Sequence, residues 1–153
     1  MPLANKLDEN YTYIDYLSWS KEESWEIIEG KAFNTSPAPS RLHQKVSAIL
    51  SGEIYQFLKD KDCEVYSAPF DVRLKFSHEK DEEIKNVVQP DISVICDKSK
   101  LDEKGCIGAP DFIIEIISPS TGAKDLKDKF YLYEKFGVRE YWIILPAEKS
   151  IMM

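Results

Sequence analysis

The run PDFIIEIIS at residues 110–118 is apolar at every position of its central part except Glu115, and this limits the fold more than any other feature of the chain. Successive strand residues point to opposite faces, so a segment apolar at both parities must be covered on both sides, as a central strand is. A carboxylate there needs compensation, because burying an unpaired ionised group is costly. A second apolar run, NVVQPDISVIC at residues 86–96, carries Asp91 in the same predicament. Two carboxylates in core strands point to a shared cation, and a divalent metal would serve.

Downstream of Glu115 the sequence DLKDKFYLYEKFG (residues 125–137) reads as an amphipathic helix with Leu126, Phe130 and Tyr133 on one face and Lys129 near it. The order of a strand carboxylate, a second strand carboxylate and a lysine close behind supplies the parts of metal-assisted phosphodiester hydrolysis. Two groups hold a metal, and a cation meets the water or the charge that develops on phosphorus.

With 153 residues, 43% of them hydrophobic, the chain is expected to form a single domain over 1–153. No apolar run is long enough for a membrane span and MPLANKLDENY lacks a signal-peptide stretch, so a cytoplasmic protein is expected. Cys63, Cys96 and Cys106 form no CxxC pair, and their odd number favours reduced thiols over a disulfide framework. A net charge of −7 counts against a general nucleic-acid binder, which would present a basic face.

Residues 1–20 have no clear period. SWEIIEGKAF (residues 24–33) reads as a hairpin turning at Glu29-Gly30, and Ser40 caps a helix from about Arg41 to Lys59 with Leu42, Val46, Ile49, Leu50 and Phe57 on its apolar face. CEVYSA (63–68) and FDVRLKF (70–76) are strands, the second with one wet face. HEKDEEIKN (78–86) reads as a solvated loop and DKSKLDEKGCIGAP (97–110) as a long connection. After the central strand, Ser118-Pro119-Ser120-Thr121-Gly122 is a break, a helix covers 123–136, Gly137 stops it, and EYWIIL (140–145) is a last strand. Strand, helix and strand in succession predict a crossover between parallel neighbours. The class is α/β, with a mixed central sheet flanked by helices and an N-terminal hairpin extension.

The segments WEIIEGK, PSRLHQ, QPDISVICD, GAPDFIIEIISPST and GVREYWIILP, with the spacing Asp125, Lys129, Tyr133, Gly137, resemble the Uma-two family of restriction-endonuclease-like proteins, within the PD-(D/E)XK nuclease superfamily. The resemblance covers most of the chain. It implies a restriction-endonuclease-like fold, magnesium bound by Asp91 and Glu115, with manganese as an alternative, and a homodimer acting on nucleic acid, DNA foremost. The superfamily's lysine stands two residues after the glutamate, where this chain has Ile117. The family is held to supply it from the next helix, which here is Lys129. Similar proteins usually run some tens of residues past the YWIILP strand, so this chain is expected to be a short or C-terminally truncated member.

Each candidate has a plainer reading. Asp91 after a proline could cap local amides. Glu115 could pair with Arg73 or Lys129, and Lys129 with Asp125 one turn away, an exposed contact of about 0.3–0.5 kcal/mol. Glu26 occupies an early strand position where the family places an acidic residue and would complete the metal shell, or else it faces solvent. His43, on the edge of the helix face with Ser47 and Leu50, could contact phosphate or simply pack. Tyr133, in the helical row of Lys129, could reach the site with its hydroxyl, and Gln89, on the same strand face as Asp91, could line the cleft. The reading is a magnesium-dependent endonuclease in which Asp91 and Glu115 hold the metal and Lys129 stabilises the charge that develops. The alternatives are a catalytically inactive dimeric binding or scaffold protein that retains the fold, and a hydrolase of small nucleotides.

Overall fold

The computed structural model describes residues 10–19, 21–35, 39–117 and 122–153, the last of these without the side chains of 122–125. The expected Ser118–Thr121 break and the Asp125 side chain therefore lie outside the described residues. The α/β class holds, but the strands divide between two sheets rather than forming one.

One sheet has six strands: β1 (Trp25–Ile28), β2 (Lys31–Asn34), β4 (Asp71–Arg73), β5 (Val87–Val88), β7 (Leu101–Asp102) and β8 (Gly105–Ile107), in the order β2-β1-β5-β4-β8-β7. The other has β3 (Glu64–Ser67), β6 (Ile92–Ile95), β9 (Phe112–Ile116), β10 (Glu140–Leu145) and β11 (Ser150–Met152), in the order β11-β10-β9-β6-β3. Three α-helices accompany them: α1 (Tyr13–Leu17), α2 (Arg41–Leu58) and α3 (Gly122–Phe136). The N-terminal hairpin forms one end of the six-stranded sheet. Glu29 and Gly30 both have positive φ, the conformation of a tight hairpin turn, and β1 is buried along its whole length because β5 pairs with its other edge.

Strand β9 occupies the position its composition predicts, antiparallel to β6 on one side and parallel to β10 on the other, with α3 as the crossover. Its alternation sorts two cores. Ile114 and Ile116 pack with Ile92, Ile144 and the α2 residues Val46, Leu50 and Ile54. Ile113, at the other parity, joins Leu132 and Tyr133 of α3, Ile28, Val72 and Val88 of the six-stranded sheet, and Leu74 just past β4. Glu115 has the parity of Ile113, so it faces the junction of the two sheets and α3.

Several expectations need correction. Helix α2 begins after the Ser40 cap, whose hydroxyl accepts from the His43 N–H, but Leu42, Ile49 and Phe57 are exposed and Ile54 takes their place in the packed stripe. A stripe read at 3.6 residues per turn is wider than the contact a single sheet face can cover. Phe130 of α3 is likewise exposed, while Lys129, Leu132 and Tyr133 are buried. The solvated loop 78–86 contains Ile84, which is fully buried among Tyr13, Ile27 and Val87 because α1 lies over it. The long connection 97–110 contains the β7–β8 hairpin, and β8 pairs parallel with β4. Cys63 and Cys96 are bonded as a disulfide rather than reduced, since the β3–β6 register that sets Glu64 against Ile95 brings them face to face. Cys106 is a buried thiol whose pKa burial pushes up to about 12.

Candidate functional site

Glu26, Glu115 and Lys129 converge where the two sheets meet α3. Glu26 has the parity of Ile28 on β1, so it turns inward; Lys129 stands one helical turn before Tyr133 and shares its inward face. The Lys129 Nζ lies 3.0 Å from Glu26 Oε2 and 3.3 Å from each oxygen of Glu115. Glu26 is 2% exposed, Glu115 4% and Lys129 3%, so the group is withdrawn from water and its attractions are screened little. One ammonium therefore ties together β1 of one sheet, β9 of the other, and the helix that follows β9.

Tyr133 completes the group by donating its hydroxyl to Glu115 Oε1 at 3.1 Å. Burial, reinforced by the charge of Glu115, holds its phenol pKa well above the usual value, so the hydroxyl keeps its proton and acts as a donor. Glu26 receives a further bond from the main-chain N–H of Gln89, 2.7 Å from Oε2. The Glu115 ion pair proposed with Arg73 is not formed: Arg73 lies 2.5 Å from Asp102 and also donates to the Cys106 carbonyl.

Asp91 sits at the edge of this group. Its Oδ2 accepts from the Ile116 N–H at 2.7 Å, beside Glu115, so the amide-capping role weighed for it is present. Its Oδ1 lies 3.0 Å from His43 Nε2. That bond, opposed by partial burial, raises the His43 pKa above its ordinary 6.5. The N-terminal end of α2 is thereby fixed against β6 and β9 through a polar contact. A small cavity of about 50 Å³ lined by Ser40, His43, Ile116 and Pro146 opens on that side.

The Gln89 side chain, weighed as a cleft-lining group, is taken up in two hydrogen bonds. Its Nε2 donates to Asp71 Oδ1 at 2.9 Å and to the Tyr16 hydroxyl at 3.1 Å, and Tyr16 donates to the same Asp71 oxygen at 2.8 Å. The sequence reading passed over Tyr16 and Asp71. Asp71 looks like one polar residue on an alternating strand, and Tyr16 lies in a segment without period, so nothing local marks either.

Asp91 and Glu115 offer hard carboxylate oxygens, the donors that magnesium and manganese take, so their chemistry fits such an ion. Among the described residues, no group of three or more His, Cys, Asp or Glu side chains is arranged to hold one. No described helix is long and apolar enough to cross a membrane.

The profile of the Uma2 family, described as "Putative restriction endonuclease", matches residues 13–153. The chain belongs to the Uma2 family. Among its relatives is an uncharacterized protein of Synechocystis sp., 29% identical over 135 residues that span 87% of this chain and 67% of the relative. The Uma2 fold is also found in a crystal structure described as a "putative nuclease belonging to DUF820" from Anabaena variabilis. It superposes with a TM-score of 0.74 at 23% identity, over 92% of this chain and 77% of that one. The fold is thus restriction-endonuclease-like, a type of nuclease that generally depends on divalent metal ions.

Proposed function

We propose that this Uma2 chain hydrolyses phosphodiester bonds of nucleic acid, with Asp91 and Glu115 as the metal-holding carboxylates and Lys129 as the catalytic cation. The observation that carries the reading is the burial of Lys129 against Glu115 and Glu26. A lysine withdrawn from water at the back of a central strand is costly to keep, and it stands on the helix that follows the strand carboxylate. A magnesium or manganese ion, when bound, supplies a Lewis acid for the phosphoryl oxygens. In this reading the protein's own groups do the rest. Lys129 offers positive charge to the developing phosphorane, Glu26 and Tyr133 fix the ammonium and Glu115, and His43 orients Asp91. The chain acts as one domain, within a homodimer, and DNA is the first substrate to test.

Plasmid and single-stranded DNA should be cut with magnesium or manganese by the wild type, and lost cutting is expected in Asp91→Ala, Glu115→Gln and Lys129→Ala. Lys129→Arg, which keeps the charge, guards against misfolding of the alanine variant. Undiminished cleavage by Glu115→Gln would sink the mechanism.

A second reading is a binding or scaffold protein that keeps the fold without turnover. It is favoured by the depth of the site, since Glu26, Glu115 and Lys129 are all at least nine-tenths buried, and by the net charge of −7. Magnesium that raises the melting temperature without any cleavage by the wild type would support it.

A further inference from the structure

The Gln89-Pro90-Asp91 tripeptide carries the chain from β5 of the six-stranded sheet to β6 of the five-stranded one, and both ends of it touch the Lys129 site. At one end Asp91 binds the Ile116 N–H beside Glu115. At the other, the Gln89 N–H holds the Glu26 oxygen that also receives Lys129. A main-chain donor can hold a carboxylate in place only if its own residue is fixed. The Gln89 side chain is fixed by two bonds, to Asp71 Oδ1 and to the Tyr16 hydroxyl, and these two partners are bonded to each other. Tyr16 belongs to α1, a helix of only five residues that is held down by Tyr13, at 7% exposure, packed on Ile27, Ile84 and Val87.

We propose that Gln89 is a positioning residue for the Glu26 carboxylate, locked by Asp71 and by Tyr16 of α1, so that docking of α1 sets where the Lys129 ammonium stands. This deepens the nuclease reading, whose catalytic cation is Lys129. The polar triangle lies between α1 and the carboxylate that anchors the cation. Its bonds are part-buried, between 2.8 and 3.1 Å, so each restrains its partner's rotamer. With Gln89 shortened to alanine the N–H would remain but the loop would lose its side-chain restraint, and the donor that places Glu26 Oε2 would be less fixed.

The test compares the full chain with Gln89→Ala, Asp71→Ala, Asp71→Asn and Tyr16→Phe in two measurements. The first is the side-chain ammonium NMR signal of Lys129 in metal-free protein, assigned by its loss in Lys129→Arg. The second is steady-state cleavage. Gln89→Ala, Asp71→Ala and Tyr16→Phe should all shift the Lys129 signal, and should lower kcat by about tenfold or more with little change in KM. Asp71→Asn should restore both readouts, because an amide oxygen can accept the same two bonds. Should Gln89→Ala fail to fold, Tyr16→Phe carries the test, since it removes only a hydroxyl. A Lys129 signal unmoved in these variants overturns the positioning role whatever the cleavage shows, as does Asp71→Asn behaving like Asp71→Ala. A wild type that cuts nothing counts against the nuclease reading alone, and the NMR comparison then still decides this one.

Discussion

Replacing Lys129 with methionine keeps the length and apolar stem of the side chain and removes the charge between Glu26 and Glu115. Two buried carboxylates left facing each other should cost about 3–5 kcal/mol at neutral pH, measurable by denaturant unfolding. A loss under about 1 kcal/mol would mean that the carboxylates do not depend on this ammonium. His43 offers a pH test at the same scale. Its folded pKa is raised above 6.5, chiefly by the bond to Asp91, so the contact stabilises fully at pH below about 6.5 and is lost as pH rises through the folded value. NMR titration should place the His43 midpoint above 6.5, and Asp91→Asn should lower it. Asp91 and Glu115 stood out in the sequence because a charge among apolar neighbours is conspicuous, whereas Lys129, preceded by Lys127 and Asp128, was marked only by its place on the helix after Glu115 and by the family resemblance. Tyr16 and Asp71 did not stand out, because a hydrogen bond across 55 positions leaves no local trace.

The elements were readable wherever periodicity and end signals agreed. Helix α3 stops as predicted: Gly137, at φ 83°, donates to the Glu134 carbonyl while Val138 donates to that of Tyr133, the paired closure of a helix that ends in a left-handed residue. Gly137→Ala should therefore destabilise the chain by about 1 kcal/mol through the strained φ, even though no atom crowds the position. A thermal shift within error of zero would show that the turn can relax. Periodicity overreached at Phe57 and Phe130, both apolar and both exposed. The pattern says which residues share a face, whereas the width of the face that is covered depends on the neighbour.

At the scale of the whole molecule, the separation of strands into two sheets creates the site, since Glu26 and Glu115 come from different sheets and meet at Lys129. Within the five-stranded sheet, the register of neighbouring strands β3 and β6 closes the Cys63–Cys96 bond. Thiol titration of the denatured, unreduced protein should count one free cysteine, Cys106, rising to three after reduction; three before reduction would refute the bond. The composition of residues 110–118 sufficed to make β9 a central strand, and alternation sufficed to set Glu115 on the opposite face from Ile114 and Ile116, because both follow from local backbone geometry. Which groups that face meets could not be read along the chain. The pairing of Glu26 with a lysine 103 positions away, the covering of Ile84 by α1 and the joining of two cysteines all depend on contacts between residues distant in sequence, which only strand register and the packing of elements bring together.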